Sequence, residues 1–398
     1  MNSLPQSIAL VHEWFTPRSS GGSEQVVQQI DRLLEAGGSR PDLFALVDGE
    51  SRRRDSWLEG RDIHTSFIQR LPWGASHVQQ YLPLLPLAIE QFDLSGYPLV
   101  LSSNHLVAKG VLTGPDQLHL SYVHTPVRYA WDQMHPYLKH SALAQNPLLG
   151  PLIRWQLHQL RQWDRVSSAS VDVLAANSRF TAARIRRCWR RTAHVIHPPV
   201  NVSRFRCDRA RGDAYVSVCR LVPNKRVDLV VEAFNRIGLP LVVIGDGPER
   251  ARLQAMAHPN VRLLGHCRAA EMADWLATCR AFVYAGVEDF GIAPVEAMAA
   301  GAPVIAYRAG GLLDTVRCWN AGDPRPTGLL FPEQTAASLV EALRHFESGR
   351  LWRNLAPDSL RDWAETFAPD RFEQSLGSLL ERSWERHTRR LASRGLCL

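Results

Sequence analysis

In the stretch EDFGIAPVEA, Glu288 and Glu296 stand eight positions apart around a Phe-Gly pair and a proline. The preceding RAFVYAGV is apolar and β-rich, and the following PVEAMAAGAPVIAY opens with good helix formers, so the segment reads as strand, tight loop and helix. Proline is favoured where a helix N–H needs no partner, which puts Pro294 at the helix start, Gly301 at its stop and Glu296 in the first turn. Free N–H groups of such a loop make an anion site of the kind used for phosphates, and a carboxylate beside one commonly serves hydroxyls. Two cations complete the set. Arg220 leaves the strand-like run AYVSVCRL, and Lys225 precedes the amphipathic VDLVVEAFNRI. Fixed positive charges near a helix start suit a pyrophosphate and stabilise charge developing on a departing diphosphate. A bland account also fits: Glu296 complements a helix dipole, and Glu288, Arg220 and Lys225 are solvated surface charges.

The elements that would position these groups must come from a chain of 398 residues, 45% hydrophobic, with material for two compact domains. Its net charge of +7 and pI near 9.2 rest almost wholly on arginine, since only Lys109, Lys139 and Lys225 are lysines. Arginine clusters such as Arg52 to Arg54 and RIRRCWRR (184–191) carry no nucleic-acid motif, so no nucleic acid is expected. A solvated surface accounts for most of them, and an anionic membrane face is the stronger functional alternative. Seven scattered cysteines without a CxxC pair suggest neither a disulfide framework nor zinc. The start MNSLPQSIALVHEWF lacks the features of a signal peptide, so a cytoplasmic protein, soluble or peripheral on the inner membrane face, is expected. GDGP (245–248) reads as a turn, and the absence of GxGxxG disfavours a nicotinamide or flavin enzyme.

Apolar runs alternate with helix-like segments: SIALVH, DLFALV, YPLVLSS, LHLSYVH, VDVLAANS and HVIHPP, then AYVSVCRL, LPLVVIGDG, NVRLLG, RAFVYAG, PVIAYRAG and TGLLF. Such alternation predicts parallel sheets covered by helices. The polar, proline-rich stretch 197–213 separates the two series as a linker. The reading is α/β, with two Rossmann-like doubly wound domains facing across a cleft: residues 1–197, residues 198–368, and a terminal helix over 369–398 packing back on the first domain. Functional loops belong at the carboxyl ends of the strands. In NPLLGPLIRWQLHQLRQWDRV (146–166), Leu149, Leu152, Ile153, Leu160 and Trp163 fall at helical spacing and are read as core in preference to a membrane anchor.

Together GGSE (21–24), YVHTPVRYAWD (122–132), ANSRFTAARI (176–185), RLVPNKRVDLVVEAF (220–234), VVIGDGPER (242–250) and EDFGIAPVEAMAAGAPVIAY (288–307) resemble the GT-B retaining glycosyltransferases of family 4. The wording of HTPVRYAWD and LVPNKRVDLVVEAF is most similar to the branch of O-antigen and exopolysaccharide mannosyltransferases. The resemblance implies transfer of a hexose, mannose from GDP-mannose, with retention, to a glycan or lipid-linked glycan in bacterial surface polysaccharide synthesis. It implies that Glu296 binds the ribose hydroxyls, that Glu288 contacts the transferred sugar, and that backbone N–H groups around Phe290, Gly291, Ile292 and Ala293 hold sugar and phosphate. Arg220 and Lys225 match the diphosphate pair, Gly21 and Gly22 the glycine loop, and His124 the histidine beside the donor sugar, although a histidine ending a β-run is commonly structural. Ser103, Lys109, Arg128, Trp131 and Asp132 lie in segments implied to face the acceptor. Cys219 stands where a glycine often precedes the arginine, and Asp314 replaces a frequent glutamate. No cofactor and no metal are implied, in line with the absence of a DxD triplet. The alternatives are a UDP-sugar donor, a sugar-nucleotide epimerase, a phosphorylase that would need a pyridoxal phosphate lysine, and a non-catalytic sugar-nucleotide-binding protein.

Overall fold

The computed structural model describes residues 4–16, 21–319 and 323–393, without the side chains of His140 and Ala142. The chain divides into two compact units, Met1–Pro198 with Phe372–Leu398, and Pro199–Arg371. The first holds a seven-stranded sheet built from β1 (Ile8–Phe15), β2 (Asp42–Asp48), β3 (Ile63–Thr65), β4 (Leu99–Asn104), β5 (Leu118–Val123), β6 (Val173–Ala176) and β7 (His194–Val195). Its order is β3-β2-β1-β4-β5-β6-β7, parallel throughout. The second holds β8 (Tyr215–Val218), β9 (Leu241–Ile244), β10 (Val261–Gly265), β11 (Phe282–Tyr284), β12 (Val304–Tyr307) and β13 (Gly328–Phe331) in the parallel order β10-β9-β8-β11-β12-β13.

Both sheets are doubly wound, and in both the winding reverses beside the first strand, between β1 and β4 and between β8 and β11. Open parallel sheets bind ligands in the crevice at such a reversal, outside the carboxyl ends of the strands. Helices cover both faces because the strands are apolar on both: β1, β4, β5, β9, β11 and β13 are buried along their whole length. Two core clusters flank the second sheet, one on Val216, Phe282 and Val295, the other on Tyr215, Val283 and Leu339.

All twelve apolar runs contain strands. The short β3 lacks a continuous apolar run, and its Ile63 and Thr65 sit at the edge of the sheet beside Leu43 and Ala45. The linker region contains a single helical turn, Val202–Arg204, whose Val202 and the following Phe205 are buried in the second core.

The terminal helix Pro369–Ser393 closes the first core with Phe372, Leu376, Leu379, Leu380 and Trp384, and the Phe372 ring lies edge-on to Tyr122 at 5.6 Å. Removing that ring leaves a cavity that a sheet-backed site cannot collapse. We expect Phe372→Ala to cost the first unit about 3–5 kcal/mol, read as a lower urea midpoint for its unfolding transition with the second unit's transition unmoved.

Candidate active site

The EDFGIAPVEA loop leaves β11 at the reversal of the second sheet. Gly291, at φ +97°, is the N-cap of the helix Ile292–Ala299, and a Cβ there would lie 2.6 Å from Leu312. The helix therefore starts two residues before Pro294, which occupies the third position of the first turn, where its missing N–H costs nothing. Glu296 consequently stands just beyond the first turn rather than in it. Gly301, at φ +75°, follows the C-cap Ala300, as a helix stop should.

Lys225 closes the single turn Pro223–Lys225 after β8, and its ammonium contacts the Glu288 carboxylate, which also accepts from the Tyr284 hydroxyl. Glycine makes this approach possible, since a Cβ on Gly286 would stand 3.0 Å from the Lys225 backbone. Gly311 donates its N–H to the Glu288 carbonyl at 2.8 Å. A Cβ on Gly310 or Gly311 would meet the Glu288 or Asp289 carbonyl at 2.3 Å, so the pair fixes the loop from behind. Arg220 is exposed between Cys219 and Leu221, whose carbonyls press on Gly245 and Gly247. The GDGP turn thus holds the arginine loop in place.

Glu296 is half-buried and accepts from Arg204 at 3.1 Å; burial raises its pKa and Arg204 opposes that rise. Arg204 was not among the candidates read from the sequence. It lies in the linker region far from EDFGIAPVEA, and no spacing rule ties it to Glu296.

In the first unit the reversal holds a different cluster. Glu13 is buried at the end of β1, and its Oε1 accepts the backbone N–H groups of His105, Leu106, Val107 and Ala108 at 2.8 to 3.1 Å. Its Oε2 lies 2.9 Å from His105 Nδ1 and 3.6 Å from His12 Nδ1. Burial works against the Glu13 charge, but His105, His12 and the N–H groups outweigh it and hold the carboxyl well below its usual range. Burial pulls His105 down too, yet the Glu13 carboxylate outweighs it and the pKa is raised; His12 is lowered by burial.

His124 follows β5. Asn104 accepts its N–H at 2.8 Å, and its carbonyl accepts from Asn177 Nδ2 at 3.0 Å and Thr181 Oγ1 at 3.3 Å. Its Nε2 lies 2.9 Å from Ser103 Oγ. Burial, then His105 and His12, push His124 down to about 3, so the ring is neutral near pH 7 and offers hydrogen bonds rather than charge.

The structure corrects several acceptor-side assignments. Lys109 is 0% exposed, with its ammonium on Asp164 Oδ1 at 2.8 Å and Ser167 Oγ at 3.0 Å, between the rings of Trp163 and Trp189. It is a core cation and presents nothing to an acceptor. Ser103 is also fully buried and acts behind His124. Trp131 is half-buried and donates Nε1 to Asp164 Oδ2 at 2.8 Å. Asp132 is exposed and ion-paired with Arg184, and Arg128 is half-buried. Gly21 is extended, at φ −166°, a conformation open to any residue; its N–H donates to Glu24 Oε2 at 2.8 Å, and Gly22 begins the helix Gly22–Ala36. Backbone conformation therefore does not require Gly21.

With the geometry in place, comparison with known proteins gives a consistent class. Residues 210–365 match the model for glycosyl transferases group 1. A GDP-mannose-dependent alpha-mannosyltransferase of Mycobacterium tuberculosis is 29% identical over 344 residues, covering 82% of this chain and 83% of the relative. A protein of the same description from Mycolicibacterium smegmatis is 25% identical over 360 residues, covering 81% and 84%. In structure, sucrose-phosphate synthase from Thermosynechococcus elongatus superposes with a TM-score of 0.72 at 21% identity, over 96% of this chain and all of that one. Anabaena HepE in complex with UDP does so at 0.66 and 14%, over 94% and 100%. The fold is GT-B, and the protein is a glycosyltransferase. In sequence it is related to the GDP-mannose-dependent mannosyltransferases.

Two expectations follow. His119, like His124, is held at about 3, by burial and then by Lys109. A histidine kept neutral when folded but free to protonate near pH 6.5 when unfolded contributes stability that is present above that pH and lost as pH falls towards 3. We expect stability to fall on acidification from pH ~6.5 to ~4, by up to about 1.4 kcal/mol per pH unit for each such histidine, and less steeply in His119→Asn. Gly245→Ala would set a Cβ 1.9 Å from the Cys219 carbonyl at φ +138°. It should cost about 1–3 kcal/mol and weaken nucleotide-sugar binding by displacing the loop that carries Arg220, whereas Gly238→Ala, with φ +75° and open space, should leave nucleotide-sugar binding intact.

Proposed function

We propose that the chain transfers mannose from GDP-mannose, with retention of anomeric configuration, to a glycan or lipid-linked glycan acceptor at a cytoplasmic membrane surface. The observation that carries the reading is the contact of Lys225 with Glu288 at the β8/β11 reversal. A cation and a carboxylate in contact are both satisfied by a ligand that presents phosphate oxygens to one and hydroxyls to the other. A sugar diphosphate does this at its anomeric junction. The GDP-mannose dependence of relatives aligned over about four-fifths of the chain supports the choice of donor.

In this reading Lys225 and Arg220 take up negative charge as the C–O bond to the diphosphate breaks, and the helix start at Gly291 adds backbone N–H groups. Glu288 holds the sugar hydroxyls and Glu296 those of the ribose, with Arg204 released from Glu296 as the ribose enters. The departing phosphate oxygen takes the acceptor proton on the same face of the sugar, so the protein supplies positioning and charge stabilisation. His124, neutral and held through Ser103, orients substrate by hydrogen bonding and is not an obligatory base. No divalent metal is required for the diphosphate.

Substitutions separate these roles. Glu296→Ala should raise the Kd for GDP-mannose with turnover of the bound complex nearly kept, while Glu288→Ala and Lys225→Ala should lower kcat by about 10²–10³. Activity should persist in excess EDTA, and the product's anomeric proton should report the α configuration by NMR. A UDP-sugar preferred in competition, an inverted product, or loss on chelation that returns with metal would each overturn its part of the proposal.

A further inference from the structure

The helix Leu149–Ser167 carries two apolar stripes, and the fold uses only one. Leu157, Leu160 and Asp164 are buried, with Ile153 half-buried in line with them at helical spacing. On the other side Leu152 and Trp155 are 57% and 59% exposed, Leu148 just ahead of the helix is 84% exposed, and Leu143 in the preceding turn is 63% exposed. Reading the whole 146–166 stripe as core therefore holds for Leu160 and, in part, for Ile153 and Trp163, but not for Leu149 or Leu152. Exposed apolar patches on this scale mark interaction sites.

Charge narrows the partner. From Gln133 to Trp163 the sequence contains no aspartate or glutamate, while Lys139, Arg154 and Arg161 supply positive charge. A second acid-free stretch, Ile63 to Ile89, packs against the same core cluster through Ile68, Val78 and Leu85, and exposes Trp73 by 75%. Trp163 donates to Glu90 at 2.6 Å and joins the two regions. Leucines and tryptophan beside cations, without acids, suit a helix lying in the headgroup layer of an anionic bilayer. Among the described residues no helix is long and apolar enough to cross a membrane.

We infer that the Leu148–Trp155 face docks this protein on anionic lipid bilayers. The inference gives a specific surface to the membrane-side acceptor reading above and rests on it only for its purpose. Asp164, on the buried side of the same helix, accepts from Trp131 and Trp189 at 2.8 and 2.7 Å and pairs with Lys109, so the docked helix is fastened to the loop that runs from His124 to Asp132. Docking thus holds this loop one helix diameter, ~10 Å, from the membrane surface, within reach of the terminal sugar of a lipid-linked acceptor.

The test is flotation of the full chain with vesicles of phosphatidylcholine alone or mixed with phosphatidylglycerol, without donor or acceptor, at low and high salt. Wild type should float with the anionic vesicles, and salt should weaken but not abolish this, because the cationic contribution is screened and the apolar one is not. Leu148→Ser with Leu152→Ser and Trp155→Ser should lower partitioning by roughly tenfold or more, with unchanged circular dichroism and unchanged GDP binding. Lys139→Glu with Arg154→Glu should remove the preference for phosphatidylglycerol. Wild-type flotation by the triple variant would overturn the inference. So would a wild-type dimer in solution that the triple variant dissolves, since the face would then serve a second copy. GDP binding, measured separately, fails if the donor reading is wrong and leaves the flotation result standing.

Discussion

A carboxylate withdrawn from water must be given donors, and the crevices of both sheets are organised by that demand. Glu13, at the β1/β4 reversal, collects four backbone N–H groups on one oxygen and two histidines near the other. A carboxylate so placed dictates the path of residues 105–108, and with it the end of β4 that carries Ser103 and Asn104, the partners of His124. Glu288, at the β8/β11 reversal, is answered by a lysine and a tyrosine from two different strand ends. In the first unit one carboxylate oxygen is held by fixed backbone and the other faces two histidines, and the charge is locked. In the second they are side chains, which can exchange a carboxylate for a ligand.

The sequence displayed the second crevice far better than the first. EDFGIAPVEA, RLVPNK and GDGP each carry their chemistry and their backbone constraint within a few residues, because a loop that must turn tightly against a neighbouring loop spends glycine and proline locally. The runs that became β1, β4, β5, β9, β11 and β13 were legible for a similar reason: a strand buried along its whole length has few polar positions to blur it. Glu13 and Arg204 were silent. Their partners lie about ninety residues away, and nothing in HEWF or NVSRF distinguishes a carboxylate or guanidinium that finds such a partner from one left in water.

Lys109 and Trp131 show the converse failure. Both sit in segments whose position suggests contact with substrate, yet both turn inward to Asp164, a residue with no local motif. One buried aspartate with two indole N–H groups and an ammonium is a fully satisfied polar hub in an otherwise apolar layer. The same helix that supplies this hub also misled the reading of its own leucines, because periodicity reports that a face is apolar without reporting what covers it.

The return of the chain to its first unit carries a consequence for biogenesis. Phe372, Leu376, Leu379, Leu380 and Trp384 finish a core whose other members, from Leu4 to Ile196, are made before the whole of the second unit. Synthesis is vectorial, so the first sheet emerges with an uncovered apolar groove and must wait, while the second unit, continuous in sequence, can fold as soon as it is out. The first core can therefore be completed only after the whole of the second unit has been made, and until then its apolar groove stays open to solvent.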